Sequence, residues 1–449
     1  MSALIRELAT AAKNAARSMA SSSNEERNRA LAAIAGALDN AAAEILAANR
    51  EDVSDAQAAQ ARGELSKATL DRLTLSPAKL ATMTDGVRAV ALLPDPIGRV
   101  LERTELDSGL ELEKVSTPIG LLAVIFEARP DAVTQISSLA IKSANGVILK
   151  PGREVERTAR AIVATIRAAL RECEVIPEAA VTNVQQRAEV DELLKLDDLV
   201  DLVIPRGSYE LVRHVQSATR IPVLGHSEGV CHIYVDARAN FDMALNIIDD
   251  AKTDYPASCN SVETVLVHQQ IAPAFLPQLA KRMTERGVRL RGDTTTIATL
   301  RAAKIDTPVE QVGENEWHTE YGDLILAVKV VPGIAEAMEH IARFGSAHTE
   351  AIVTDDAEAS QRFLQQVDSA GVFHNASTRF ADGYRYGFGA EVGISTSRLH
   401  ARGPVGLEGL TTYKYILRGA GQLARDYQGP HARPFTHKRR SLCGQDKSS

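Results

Sequence analysis

The segment 255–264, YPASCNSVET, sets one cysteine among small residues at the start of the apolar run Val262–Val267. A thiolate attacks a carbonyl carbon well, and nearby backbone amides can hold the oxyanion that forms. Ala257, Ser258, Asn260 and Ser261 are small enough to leave such amides reachable, and Pro256 ends any preceding helix. Cys259 is therefore a candidate nucleophile. The competing reading is a buried, inert space-filler, common for free cysteines; a loop at the mouth of a strand keeps both open. Cys231 opens the run CHIYV and reads as core packing.

Two strand ends carry basic residues. GVILK runs into KPGRE, which places Lys150, Gly152 and Arg153 at a carboxyl end, and DLVIPR runs through Gly207 and Ser208 into a helix whose free amides suit a phosphate. No G-x-G-x-x-G follows any strand, so the ordinary dinucleotide fingerprint is absent. Basic residues where an acid would grip a ribose hydroxyl point to a 2′-phosphate, hence NADP rather than NAD. Solvated loop charges remain the alternative. A third cluster, 375–415, gathers Arg379, Arg385, Arg398, His400 and Arg402 among glycines. It reads either as irregular surface or as a cationic bed for an acidic substrate, with glycines letting backbone approach a ligand.

These residues need elements to hold them. The 449 residues are 45% hydrophobic with net charge −7; a large core is within reach, and nucleic acid is excluded as the main partner for want of a basic surface. Four cysteines match neither a zinc pattern nor a disulfide framework, which suggests a reducing compartment. No apolar stretch reaches transmembrane length. At the N-terminus Leu4, Leu8 and Ala11 recur at helical spacing, predicting a first helix rather than a transit peptide, with a cytoplasmic location. Residues 24–90 read as helices, with Ser23 and Glu26 at capping-box spacing. Around Asp107-Ser108-Gly109 the stretch 99–118 predicts an exposed hairpin with Leu110, Leu112 and Lys114 on one face, a sheet edge open to a second subunit.

From Gly120 strands alternate with helices, among them GLLAVIFE, GVILK, LVDLVIPR and a short IPVLGH. A second series begins near Val230 with CHIYVD and runs through VETVLVH, LILAVKVVP, EAIVTD and GVFHN. The alternation predicts an α/β fold of two doubly wound parallel sheets, with ligands at strand carboxyl ends. The expected domains are 1–229 for dinucleotide binding, 230–395 for catalysis, 396–425 for oligomerisation and 426–449 as a polar, frayed tail holding an incidental Cys443.

The segments FEARPD (126–131), IPRGS (204–208), PVLGHSEGVCHIYVD (222–236), AKTDYPASCNSVETVLVH (251–268), NASTRFADG (375–383) and GAEVGISTSRLHARGPVGLEGLTTYKY (389–415) together resemble the γ-glutamyl phosphate reductase family, the glutamate-5-semialdehyde dehydrogenases of the aldehyde dehydrogenase superfamily. The likeness spans roughly Leu4 to Gly419. It implies an aldehyde dehydrogenase-like fold with a small β oligomerisation element, formed by hairpin 99–118 and the strand TTYKYIL. It also implies NADPH-dependent reduction of L-γ-glutamyl 5-phosphate to L-glutamate 5-semialdehyde and phosphate, a step of proline biosynthesis.

By position, Cys259 matches the nucleophile that carries a thioester, Glu320 the glutamate that holds the nicotinamide ribose, Lys150 the lysine at the adenine ribose, and Gly207-Ser208 the turn at the pyrophosphate. Val223 replaces the glutamate with which hydrolytic relatives activate water, and valine is no general base. Ala128 replaces the superfamily's oxyanion-binding asparagine, which leaves the Cys259 amide as one donor and the second unassigned. KPGRE stands nearer the wider superfamily's KPSE than the closer family's Gly-Gly. For the acidic substrate, charge and motif position suggest Arg379 and Arg402 at the phosphate or α-carboxylate, His400 nearby and Glu127 at the ammonium. A homo-oligomer is the expected assembly, and a glutamate kinase is a candidate partner whose docking the sequence leaves open. Competing readings are an aldehyde-oxidising dehydrogenase, a thiol hydrolase pairing Cys259 with His226, His268 or His374, and a non-catalytic scaffold.

Overall fold

The computed structural model describes residues 2–225, 228–305 and 307–442, which leaves His226 and Cys443 outside it. The described residues divide between two compact units. The first takes those of Met1–Leu224, Gly389–Val392 and Val405–Ser449; the second takes those of Gly225–Phe388 and Gly393–Pro404. The cut thus falls five residues before the expected 229/230 boundary, and the chain returns to the first unit after the second.

The first unit is built on a parallel sheet in the order Val181–Asn183, Gly146–Pro151, Leu121–Phe126, Leu202–Arg206. Every residue of Leu121–Phe126 is buried, as expected of a strand covered on both faces. The N-terminal helix Ser2–Met19 does form, but its buried stripe is Ile5, Ala9 and Ala12, one residue out of phase with the expected Leu4, Leu8 and Ala11; Leu4 is 62% exposed. Small side chains explain the choice. A Cβ at Gly146 would come within 2.9 Å of the Ala12 carbonyl oxygen, so the helix rides close to the sheet where a leucine would hold it off.

Helix Asn24–Asn40 begins on the expected capping box, with the Glu26 amide donating to Ser23 Oγ at 3.2 Å and the Ser23 amide to the Glu26 carboxylate at 2.7 Å. Arg187–Leu193 and Val181–Asn183 were not expected. Within IPVLG no strand forms among the described residues, only a single bridge from Val223 to Val203.

The hairpin pairs Val100–Asp107 with Leu110–Pro118, and Thr411–Arg418 adds antiparallel to the second strand. Gly109, at φ 70°, turns the hairpin. Two expectations are corrected here. Glu113 is buried, held by Arg103 and Arg418, so the hairpin does not present a simple alternating face. Nor does the tail fray at Thr436. Lys438–Arg439 pairs with the outer edge of Val100–Asp107, Thr436 donates to the Leu106 carbonyl at 2.8 Å, and Arg440 donates to the Arg103 carbonyl at 2.9 Å. Each chain polarity cue in the tail was read as solvation, whereas the basic residues meet Glu105 and Asp107.

The second unit holds a seven-stranded parallel sheet in the order Val309–Gln311, Arg289–Gly292, Ile325–Val331, Val262–His268, Cys231–Val235, Thr349–Val353, Gly371–His374. The two strands at the start of that order, short and charged, escaped the periodicity reading. Helices Phe241–Thr253 and Ala272–Glu285 pack on one face, and Ile334–Phe344 and Ala357–Gln366 on the other. Among the described residues no single helix is long and apolar enough to cross a membrane.

Asn145 is fully buried and ties the start of Leu121–Phe126 to the returning chain: its Oδ1 accepts from the Gly120 amide at 2.7 Å and its Nδ2 donates to the Leu410 carbonyl at 2.8 Å. Asn145→Ala is expected to cost about 2–3 kcal/mol of stability, since it orphans buried groups. Urea unfolding at constant m-value checks this.

Candidate active site

Cys259 stands half-buried in a turn closed by the Ser261 amide on the Ser258 carbonyl at 2.8 Å. Its own N–H donates to nothing among the described residues. The two residues that follow Cys259 are pinned. Ser261 Oγ donates to the Ala251 carbonyl at 3.0 Å, and Asn260 Nδ2 to the Ala381 carbonyl at 3.0 Å. Cys231 Sγ lies 3.3 Å from the Cys259 carbonyl oxygen, and burial pushes that thiol well above its ordinary range, so it remains a protonated packing group.

Glu320 joins Cys259 through a glycine. Its Oε2 accepts the Gly229 amide at 2.9 Å, and a Cβ on Gly229 would overlap the Cys259 backbone. Beneath them lies a pair that sequence reasoning missed. Lys252 and Glu263, both without side-chain exposure, bond at 2.8 Å, and the second Glu263 oxygen accepts the Gly322 amide at 3.3 Å. One carboxylate thus ties the helix leading to Cys259 to the loop that follows Glu320. Burial pushes the Glu263 carboxyl up to about 7 and the Lys252 ammonium down. The available signal was a glutamate inside the otherwise apolar run 262–267.

The expected substrate arginines each have a carboxylate partner within the second unit. Arg379, 8% exposed, donates from Nε to Asp254 at 3.1 Å and from Nη1 to Asn260 Oδ1, the residue beside Cys259. It holds the cysteine turn rather than standing open. Arg402 donates to the Asp368 carboxylate at 2.6 Å and to its carbonyl at 3.1 Å. His400 is exposed on the same segment. His268 and His374 serve local bonds, the first accepting the Gln270 amide at 3.1 Å and the second meeting the Thr354 carbonyl at 3.0 Å.

The first unit carries a cavity of about 420 Å³. Lys150, Arg153, Ser208 and Glu127 line it, together with Arg187, which sequence reasoning missed. Gly207 faces it at the turn: a Cβ there would collide with the Glu127 carboxylate, which accepts the Ser208 amide at 2.8 Å. The Glu127 carboxylate sits with the basic strand ends at the start of helix Tyr209–Ala218. Gly152 is required because Glu154 folds back over it to accept the Ala128 amide at 2.6 Å. Burial lowers the Lys150 ammonium from its ordinary value.

Residues 2–323 match the model of the aldehyde dehydrogenase family. A γ-glutamyl phosphate reductase of Synechococcus sp. (strain JA-3-3Ab) is 52% identical over 96% of this chain and 93% of its own. The crystal structure of the γ-glutamyl phosphate reductase from Thermotoga maritima superposes with TM-score 0.89 at 39% identity, over 93% of this chain and 99% of that one. An acetylating aldehyde dehydrogenase from Geobacillus thermoglucosidasius, 17% identical, shares the fold with TM-score 0.65 over 94% of this chain and 98% of its own.

Arg385 and Arg379 hold the Asp254 carboxyl below the usual 3.8. A depressed carboxyl contributes stability that is present above its unfolded value and lost as pH falls through the folded one. Asp254→Asn is expected to lower stability at neutral pH and to flatten the acid limb below about pH 4. Urea titrations across that range test both effects.

Proposed function

The chain belongs to the aldehyde dehydrogenase family and, within it, to the γ-glutamyl phosphate reductases; from that membership we propose that it reduces L-γ-glutamyl 5-phosphate to L-glutamate 5-semialdehyde and phosphate, with NADPH as reductant, in proline biosynthesis. The observation that carries the mechanism is Cys259: a half-buried thiol whose own amide donates to nothing among the described residues, in a turn pinned at Asn260 and Ser261.

Cys259 Sγ, as thiolate, attacks the acyl carbon, and the C–O bond to phosphate breaks as a thioester forms on the cysteine. The Cys259 N–H supports the oxyanion during attack. NADPH, when bound, supplies the hydride that reduces the thioester. The resulting thiohemiacetal then breaks its C–S bond, releasing the aldehyde and restoring the thiolate. Glu320, aligned beside Cys259 through Gly229, is the residue for the nicotinamide ribose. Arg379 positions the nucleophile through Asn260, and Arg402 and His400 remain the candidates for the substrate's anionic groups.

The first unit's cavity suits the reductant. Its Gly207-Ser208 turn leaves no room for a side chain, and Lys150 and Arg153 bring cations to strand ends. Aldehyde oxidation with hydrolysis is disfavoured because Val223 packs on the first unit's apolar core and offers no base. Thr411–Arg418, with Tyr413 and Tyr415 49% and 61% exposed, is the edge for a second subunit.

Run in reverse, glutamate semialdehyde with NADP should yield NADPH only when phosphate is supplied. Cys259→Ser should reduce that rate by on the order of a thousandfold. Turnover indifferent to phosphate would refute the proposal.

A further inference from the structure

Three cations reach the first unit's cavity from three separate segments. Lys150 lies near the end of strand Gly146–Pro151, Arg153 opens the turn Arg153–Val155, and Arg187 opens helix Arg187–Leu193. None of the three makes a hydrogen bond or ion pair among the described residues. Other arginines on neighbouring elements are paired: Arg157 with Asp55 at 2.8 Å, Arg160 with Glu156 at 2.7 Å and Arg171 with Glu178 at 2.5 Å.

Glu127, Asp191 and Glu210 also line the cavity, and none of them is within ion-pair distance of the three cations. Glu189, two residues from Arg187, accepts the Gln185 and Gln186 amides, each at 2.7 Å. Glu154 accepts the Ala128 amide, and Glu127 the Ser208 amide. The three cations therefore face the cavity without a direct carboxylate partner, although acids stand nearby.

Beside the cations the wall is apolar, formed by Val190, Leu211 and Val215. Val190 follows Arg187 by three residues, so both lie on one face of their helix. A flat heteroaromatic base seated against Val190 would bring its sugar within reach of the Arg187 fork. A phosphate monoester on that sugar carries close to two negative charges, and a guanidinium meets such a group with paired charge-assisted hydrogen bonds.

We propose that Arg187 is a specificity-determining residue that, with Lys150 and Arg153, grips the 2′-phosphate of the dinucleotide. The proposal rests on the reading that this cavity takes NADPH, and extends it to a residue outside the strand-end motifs.

The test compares kcat/KM for NADPH and NADH in the wild type and in Arg187→Gln. The NADPH-to-NADH ratio is expected to fall about tenfold or more, the scale of a lost charge-assisted contact, with Arg187→Lys between the two. Competitive inhibition by adenosine 2′,5′-bisphosphate and by 5′-AMP gives a readout independent of hydride transfer. The wild-type preference for the 2′-phosphorylated nucleotide should shrink by the same factor. A preference within twofold of wild type overturns the proposal. So does an equal loss for both nucleotides, which would mean that Arg187 stacks on the base or supports the fold. If neither nucleotide competes with NADPH in the wild type, the cavity is not the dinucleotide site, and the inference falls with that reading while the reductase activity stands.

Discussion

The Lys252–Glu263 ion pair, out of reach of water, is the constraint from which the placement of Cys259 and Glu320 follows. Taking two charges out of water costs several kcal/mol per ion, and only good geometry with further hydrogen bonds offsets it. Here the second carboxylate oxygen reaches the Gly322 amide, so the pair cannot shift without disturbing the loop that carries Glu320. Glu320 in turn grips Gly229, whose lack of a side chain lets its backbone lie against that of Cys259. Cys259 and Glu320, far apart in sequence, are thereby set in register by one buried pair and one glycine.

Arg379 illustrates how a charged motif residue can be taken up by bonds within the fold. Its guanidinium reaches Asp254 before the cysteine turn and Asn260 after Cys259, bracketing the nucleophile from both sides. A residue read as an anion ligand from its charge acts as a clamp because its partners lie within bonding distance in the folded chain. The first unit shows the complementary logic. There Glu127, Glu154 and Glu189 turn to backbone amides, and Lys150, Arg153 and Arg187 beside them form no ion pair with them.

Long periodic elements were legible from the residues alone. The buried runs at 121–126, 146–150 and 262–268 could be nothing but interior strands, and the capping box at Ser23 formed as written. Short strands such as Val181–Asn183 and Val309–Gln311 were not, because three residues carry too little periodicity to stand out. The phase of the first helix was misread since hydrophobicity ranked leucine above alanine, whereas the close approach to Gly146 selects for small side chains.

The residues determined by themselves that a cysteine would sit at a strand mouth, that two α/β series would follow one another, and that basic groups would cluster at strand ends, because these are local matters of pattern and turn chemistry. Tertiary structure alone decided which charges neutralise one another. Whether an arginine is a clamp, like Arg379, or an open cation, like Arg187, depends on partners brought near by folding, and distance through space is not written in distance along the chain.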